Sequence, residues 1–286
     1  MSLFQLSFVL VVLVQLSQQA AIENRIVNGE IVTSIEEYPY QVSLFKKNQT
    51  NNILGYRFYC GGSVISEKYI LTAAHCVTVH NTTQKLPAEH IFVIAGKTSV
   101  AKFDKQLAHI TNKTIVHPNY NLEFNFEGKL IKITNDIALI NLKDPLKLSE
   151  KINKVRLPKK RESSSWFYGK TAVATGFGMI YLNEFTANLY AVNLTIPEKN
   201  KCNQGDDKLI CIRQDKKRRG ICYGDSGGPL VVNGVQCGVT SSLLPDPDDH
   251  SDPHLCHLAT EFDFANIIYY RDWISENSDV DEENAE

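Results

Sequence analysis

Apolar residues fall along most of this chain in short runs separated by Gly, Pro, Asn and Ser. Gln41–Phe45, Ser63–Ile65, Tyr69–Ala73, Ile91–Ala95, Ile137–Leu142, Thr171–Thr175 and Leu189–Ile196 are such runs. Short apolar runs bounded by turn formers read as β-strands. Many of them, with little helical patterning between, indicate an all-β fold of barrels or sandwiches. One helical period stands out near the end, where Phe264, Ile267, Ile268 and Ile274 recur at helix spacing. No internal repeat is present.

The two ends differ from this pattern. Leu3 to Leu16 is apolar and uncharged, too short to span a bilayer comfortably, and followed by the small residues Ser17, Ala20 and Ala21. Residues 1–21 therefore read as a secretory signal peptide, with an N-terminal anchor as the alternative. Residues 278–286 read as an acidic, disordered tail.

Composition narrows the class. A chain of 286 residues can bury a sizeable core, as one large domain or two small ones. A net charge of −2 gives no case for nucleic acid or a membrane surface as a partner. Seven cysteines behind a signal peptide imply disulfides and one leftover thiol. Asn48, Asn81, Asn112 and Asn193 each open an Asn-X-Thr sequon, so a secreted chain is expected to be glycosylated there.

Chemistry is concentrated in Cys222-Tyr223-Gly224-Asp225-Ser226-Gly227-Gly228-Pro229. A nucleophilic serine needs a tight, rigid turn and backbone N–H groups converging on one spot. Glycines on both sides permit such a turn, and Pro229 and Cys222 stiffen it. Alone, the stretch is equally an ordinary turn before the strand Leu230-Val231-Val232. Two more stretches change that balance: Leu71-Thr72-Ala73-Ala74-His75-Cys76 and Asn135-Asp136-Ile137-Ala138-Leu139-Ile140. His75 ends an apolar strand beside a cysteine. Asp136 precedes an apolar run that would bury it, and a buried carboxylate needs a partner.

Together these stretches, in the order His75, Asp136, Ser226, resemble the chymotrypsin/trypsin family of serine proteases. Subtilisin-like enzymes and α/β-hydrolases carry the same three residue types in other orders. The resemblance runs from Ile26 to about Ile274. It implies two packed six-stranded antiparallel β-barrels, residues 26–158 and 159–277, forming one peptidase domain with a C-terminal helix. It also implies catalysis by His75, Asp136 and Ser226, an oxyanion hole from the N–H groups of Gly224 and Ser226, and no cofactor. Residues 22–25 resemble a short activation pro-segment: cleavage after Arg25 would free the Ile26 amine to pair with Asp225. Implied partners are protein or peptide substrates, an activating trypsin-like protease and protein protease inhibitors, around an extracellular monomer.

The family also supplies a disulfide pattern, Cys60–Cys76, Cys202–Cys211 and Cys222–Cys256. A further family bridge is missing at both ends, at Ala172 and Val232, which leaves Cys237 as a buried thiol; Cys222–Cys237 is the alternative pairing. Lys97 stands where some trypsins offer a carboxylate to calcium, so no calcium site is expected. His250, His254 and His257 with Asp246, Asp248, Asp249 and Asp252 form a loop read as solvated rather than metal-binding.

The departures concern substrate choice. Tyr120–Asn135, Arg213–Arg219 and Ser241–Cys256 are longer or differently composed than in the family, with a basic cluster at Lys216-Lys217-Arg218-Arg219. The primary specificity pocket maps to Gly220, Ser241, Leu243 and His257. Gly220 replaces the aspartate that gives trypsins their preference for Lys and Arg, and Leu243 replaces a wall glycine. A shallow apolar pocket follows, cleaving after small or medium apolar residues. Two alternatives stay open: an acid from Asp246–Asp252 folding in to restore a basic preference, or His257 with Arg218 or Arg219 favouring acidic residues. A non-catalytic binding protein on the same scaffold is the rival reading, although such homologues usually replace a triad residue and none is replaced here.

Overall fold

In the computed structural model, which describes residues 29–50, 53–180, 184–185, 187–198, 206–245 and 256–280, strands dominate the chain from a short β1 (Glu30–Ile31) onward. The next segments are β2 (Gln41–Thr50), β3 (Ile53–Val64), β4 (Tyr69–Thr72), β5 (Ile91–Ala95) and β6 (Ala108–Val116). After an inserted hairpin of β7 (Asn121–Phe124) and β8 (Leu130–Thr134) comes β9 (Ala138–Leu142). Six of these strands close a barrel in the order β2-β3-β4-β9-β6-β5. Its interior is filled by Val42, Leu44, Val64, Ile70, Val93 and Leu139 among others. Full burial of one such side chain contributes about 1.5–3 kcal/mol.

The second half supplies β10 (Thr171–Gly176), the small pair β11 (Met179–Ile180) and β12 (Glu184–Phe185), β13 (Tyr190–Thr195), β14 (Leu209–Arg213), β15 (Pro229–Val232), β16 (Val235–Pro245) and β17 (Ala259–Asn266). Its main sheet runs β1-β13-β10-β15-β16-β17-β14. The outer edge of β13 is taken by β1, through Glu30↔Ala191 and Ile31↔Tyr190, and no pairing joins β13 to β14 among the described residues. The N-terminal strand thus covers that edge of β13.

One α-helix, α1 (Ile267–Asn277), follows β17. Asn266 caps it, its side chain accepting from the Ile268 N–H at 3.1 Å. Phe264, expected on this helix, lies instead on β17 and is fully buried. Phe262 and Phe264 alternate along that strand with Glu261 and Asp263, a period of two that wins over the helical spacing. The helix returns to the first barrel: Ile267, Tyr270 and Ile274 join its apolar cluster. Arg271, only 1% exposed, donates from Nε to the Pro158 carbonyl at 2.7 Å and so ties the helix to the segment between the two halves. The expected disordered tail is ordered at its start, because Val280 is buried in the first-barrel cluster and Ser278 donates to the Ile274 carbonyl. Residues 281–286 lie outside the described residues, as do the signal-peptide and pro-segment readings on 1–25.

Candidate active site

His75 sits in the single turn Ala74–Cys76 that ends β4. That turn is fixed by a disulfide from Cys76 to Cys60 on β3. Asp136 sits just before β9, at the end of the inserted hairpin. Asn135 before it takes a left-handed φ of 51°. Two contacts hold that conformation: Asn135 donates to the Asn119 carbonyl at 2.7 Å, and the Tyr270 hydroxyl of α1 donates to Asn135 at 3.2 Å. The terminal helix therefore helps to aim Asp136.

The Asp136 carboxylate, 2% exposed, accepts three hydrogen bonds. One oxygen takes the His75 backbone N–H at 2.9 Å. The other meets His75 Nδ1 at 2.7 Å and the Ser241 hydroxyl at 2.6 Å. Burial opposes the charged form of both groups, yet attraction and hydrogen bonding outweigh it. The Asp136 carboxyl is held below its ordinary value and the His75 imidazole above its own. Such a pair fixes Nδ1 as the protonated nitrogen and leaves Nε2 free to act as a base.

Ser226 lies on the turn before β15, and His75 and Ser226 line the same cleft, of about 620 Å³. Gly224 and Gly227 around it have φ of 102° and 77°. At Gly227 a Cβ would lie 2.2 Å from Thr72 Oγ1 and 2.6 Å from the Gly61 carbonyl, so only glycine lets this turn dock on the first barrel. The docking is a real hydrogen bond as well, from the Gly61 N–H to the Ser226 carbonyl at 2.8 Å. Ser226 and Gly224 are both partly exposed to the cleft.

Asp225 points the other way, into the interior. Its carboxylate accepts from the N–H groups of Gly178 at 2.7 Å and Cys222 at 2.8 Å. Burial raises its pKa to about 7 despite those donors. Gly176 and Gly178 make room for it, since a Cβ at either would fall within 2.5 Å of the carboxylate. Arg25 and Ile26, read as the activation site, lie outside the described residues.

Cys222 pairs with Cys256, which removes the alternative with Cys237; Cys237 is a buried free thiol. Cys211 is disulfide-bonded, and Cys202 lies outside the described residues. Asn81, Asn112 and Asn193 are exposed, and Asn112 also donates to Asn141 at 2.8 Å. Asn48 is a β2 residue paired with Gly55.

Of the expected pocket residues, Ser241 and Leu243 line the cleft, but Gly220 is buried and does not reach it. A Cβ on Gly220 would lie 2.0 Å from Cζ of Phe262, whose ring is fully buried. Phe262 thus fills the space next to the expected floor. It was not among the pocket residues read from the sequence; its strand partner Phe264, two residues on, was the available signal that the ring faces inward. The side chain of His257 and the acidic loop 246–255 lie outside the described residues. Glu261 and Asp263 alternate with Phe262 and so face away from it. The cleft is further walled by Leu122, Leu130 and Ile133 of the inserted hairpin and by Lys46, Arg57 and Tyr59 of β2 and β3.

Similarity to known proteins agrees with this geometry. The Trypsin family model matches residues 26–274. Chymotrypsin-2 of Vespa crabro is 32% identical over 246 residues, covering 84% of this chain and 94% of that protein. Chymotrypsin of Phaedon cochleariae is 30% identical, covering 76% of this chain and 72% of that protein. A solved structure described as HL collagenase superposes with a TM-score of 0.67 over 89% of this chain and 99% of its own, at 24% identity, which bears on fold alone. With the family model spanning almost the whole folded region and chymotrypsins among its relatives, the chain belongs to the trypsin family of serine endopeptidases.

Proposed function

We propose that this chain is the precursor of an extracellular serine endopeptidase that uses His75, Asp136 and Ser226. The observation that carries the reading is the buried Asp136 holding His75 by two hydrogen bonds at the edge of a cleft that also exposes Ser226. Ser226 Oγ attacks the scissile carbonyl carbon while His75 Nε2 takes its proton. The oxyanion is held by the N–H groups of Gly224 and Ser226. Collapse breaks the C–N bond, and His75 gives its proton to the departing amine. Water then attacks the acyl ester, passes a proton to His75, and the acid product leaves as Ser226 is restored. Ser241 adds a donor to Asp136 and keeps the carboxylate ionised.

The proposal includes activation. Residues 1–21 direct secretion, and cleavage after Arg25 frees the Ile26 amine. A buried carboxylate whose pKa has risen to about 7 has no cation beside it among the described residues, and the new ammonium would supply one. That pairing orders the Gly224–Ser226 turn. Cys202 closes the remaining disulfide with Cys211, and Asn48, Asn81, Asn112 and Asn193 carry glycans.

Primary specificity is for small and medium apolar residues. No carboxylate is among the described residues lining the cleft, Leu243 lies on its wall, and Phe262 fills the space beyond. The test is a panel of chromogenic peptides differing only before the scissile bond, hydrolysed by the Arg25-cleaved protein. Hydrolysis after Ala, Val or Leu well above hydrolysis after Trp, Lys or Arg is expected. Cleavage after Arg as fast as after Leu would refute the pocket, and hydrolysis of none of the panel would refute the reading as an enzyme.

A further inference from the structure

The cleft is electrically lopsided. Four of its lining residues, Lys46, Arg57, His75 and His80, carry or can carry positive charge, and no Asp or Glu lines it among the described residues. His75 belongs to the reaction. Lys46 and Arg57 do not, and they sit directly opposite each other across the β2–β3 ladder. Two like charges placed cross-strand destabilise a sheet. Neither makes an ion pair among the described residues. Lys46 is instead held with its ammonium 5.3 Å from the ring centre of Tyr59, which also lines the cleft and keeps a buried hydroxyl without a hydrogen-bond partner. An arrangement that costs stability and presents cations to a substrate channel is explained if an anion binds there.

The side of the scissile bond follows from the walls, and it rests on the catalytic reading above. The acyl-side residue is assigned to the wall of Ser241 and Leu243 on β16. Leu122 and Ile133 of the β7–β8 hairpin extend an apolar wall next to His75. The β2–β3 hairpin forms a separate wall, which borders Ser226 through the Gly61 N–H to Ser226 carbonyl hydrogen bond at 2.8 Å. We propose that Lys46 and Arg57 form a cationic subsite that selects substrates with an acidic side chain within a few residues after the scissile bond, on the leaving-group side. The favoured substrate is then a polypeptide segment with a small apolar residue before the cut and Asp or Glu shortly after it.

The experiment uses internally quenched peptides, identical up to the scissile bond and carrying Glu, Ala or Lys at successive positions beyond it. Active enzyme is counted by fluorophosphonate titration. The cleaved wild type is expected to give kcat/KM several-fold to about tenfold higher for Glu than for Lys at one position, a gap that narrows at high salt. In Lys46→Glu/Arg57→Glu, measured per titrated site, the order inverts. If the double variant is not secreted, Arg57→Ala and the salt dependence of the wild type carry the test. Equal rates for Glu and Lys in the wild type, or a preference unmoved by either variant, overturn the subsite. Wild-type hydrolysis of a peptide nitroanilide, which has no residue on that side, decides the catalytic reading separately.

Discussion

Removing the ring of Phe262 is expected to deepen the primary pocket. The ring is fully buried, with Leu243 packed against the same cluster, and a methyl group on Gly220 would lie 2.0 Å from it. Phe262→Ala costs about 3–5 kcal/mol of stability, as large-to-small core changes do. It also joins the vacated space to the cleft beside Leu243 and Ile221. One methylene accommodated or refused in an apolar pocket is worth about 1–3 kcal/mol, a factor of about 10–200 in kcat/KM. A benzyl side chain carries several such groups, so the ratio of kcat/KM for a substrate ending in Phe over one ending in Ala should rise at least about tenfold. The assay compares two peptide anilides that differ only at that residue. Taking their ratio within one preparation cancels any loss of folded enzyme. A ratio unchanged in a variant that still titrates with a fluorophosphonate would show that Phe262 does not set the pocket depth.

Three further outcomes are expected. Arg25→Gln should be secreted and inert, and full activity from that uncleaved chain would remove the activation step. In the uncleaved chain Asp225 binds protons more tightly folded than unfolded, so its contribution to stability is complete below the unfolded carboxylate range and lost as pH rises through about 7. Thermal melts should therefore fall between about pH 4 and pH 7 more steeply for the uncleaved wild type than for Asp225→Asn, and equal slopes would contradict the assignment. Asp136→Asn should cut kcat on the order of 10⁴-fold by releasing the His75 tautomer, and should move the acid limb of the pH–rate profile downward, since Asp136 raises the His75 pKa. An acid limb that stays in place would refute that coupling.

The motif-bearing stretches were legible because each is local: the turn around Ser226, the turn holding His75 and the apolar run after Asp136 are written in adjacent residues. What joins them is not local. Tyr270 reaches Asn135 across 135 positions of sequence, and Ser241 reaches Asp136 across 105. Strand ends were missed where pairing carries polar residues into a ladder, as in β2, which continues through Lys46 and Lys47 to Thr50 because β3 supplies a partner at each position. Phe264 was misplaced because four apolar residues fit a helical spacing by chance, and β17 shows that cross-strand pairing with β16 and β14 decided the matter. The docking of β1 on β13 at Tyr190 and Ala191 is likewise announced by no run of residues. Gly220 was correctly seen to lack a charge, but the ring that fills the space beside it comes from a strand 42 residues later.

The central claim is that Ser226 forms the acyl-enzyme. Mass spectrometry of the Arg25-cleaved protein after reaction with a fluorophosphonate should place one adduct on the peptide containing Ser226, with loss of peptidase activity in proportion. Ser226→Ala should be secreted, carry no adduct and hydrolyse nothing. An adduct on another serine, or activity that survives in Ser226→Ala, would contradict the account.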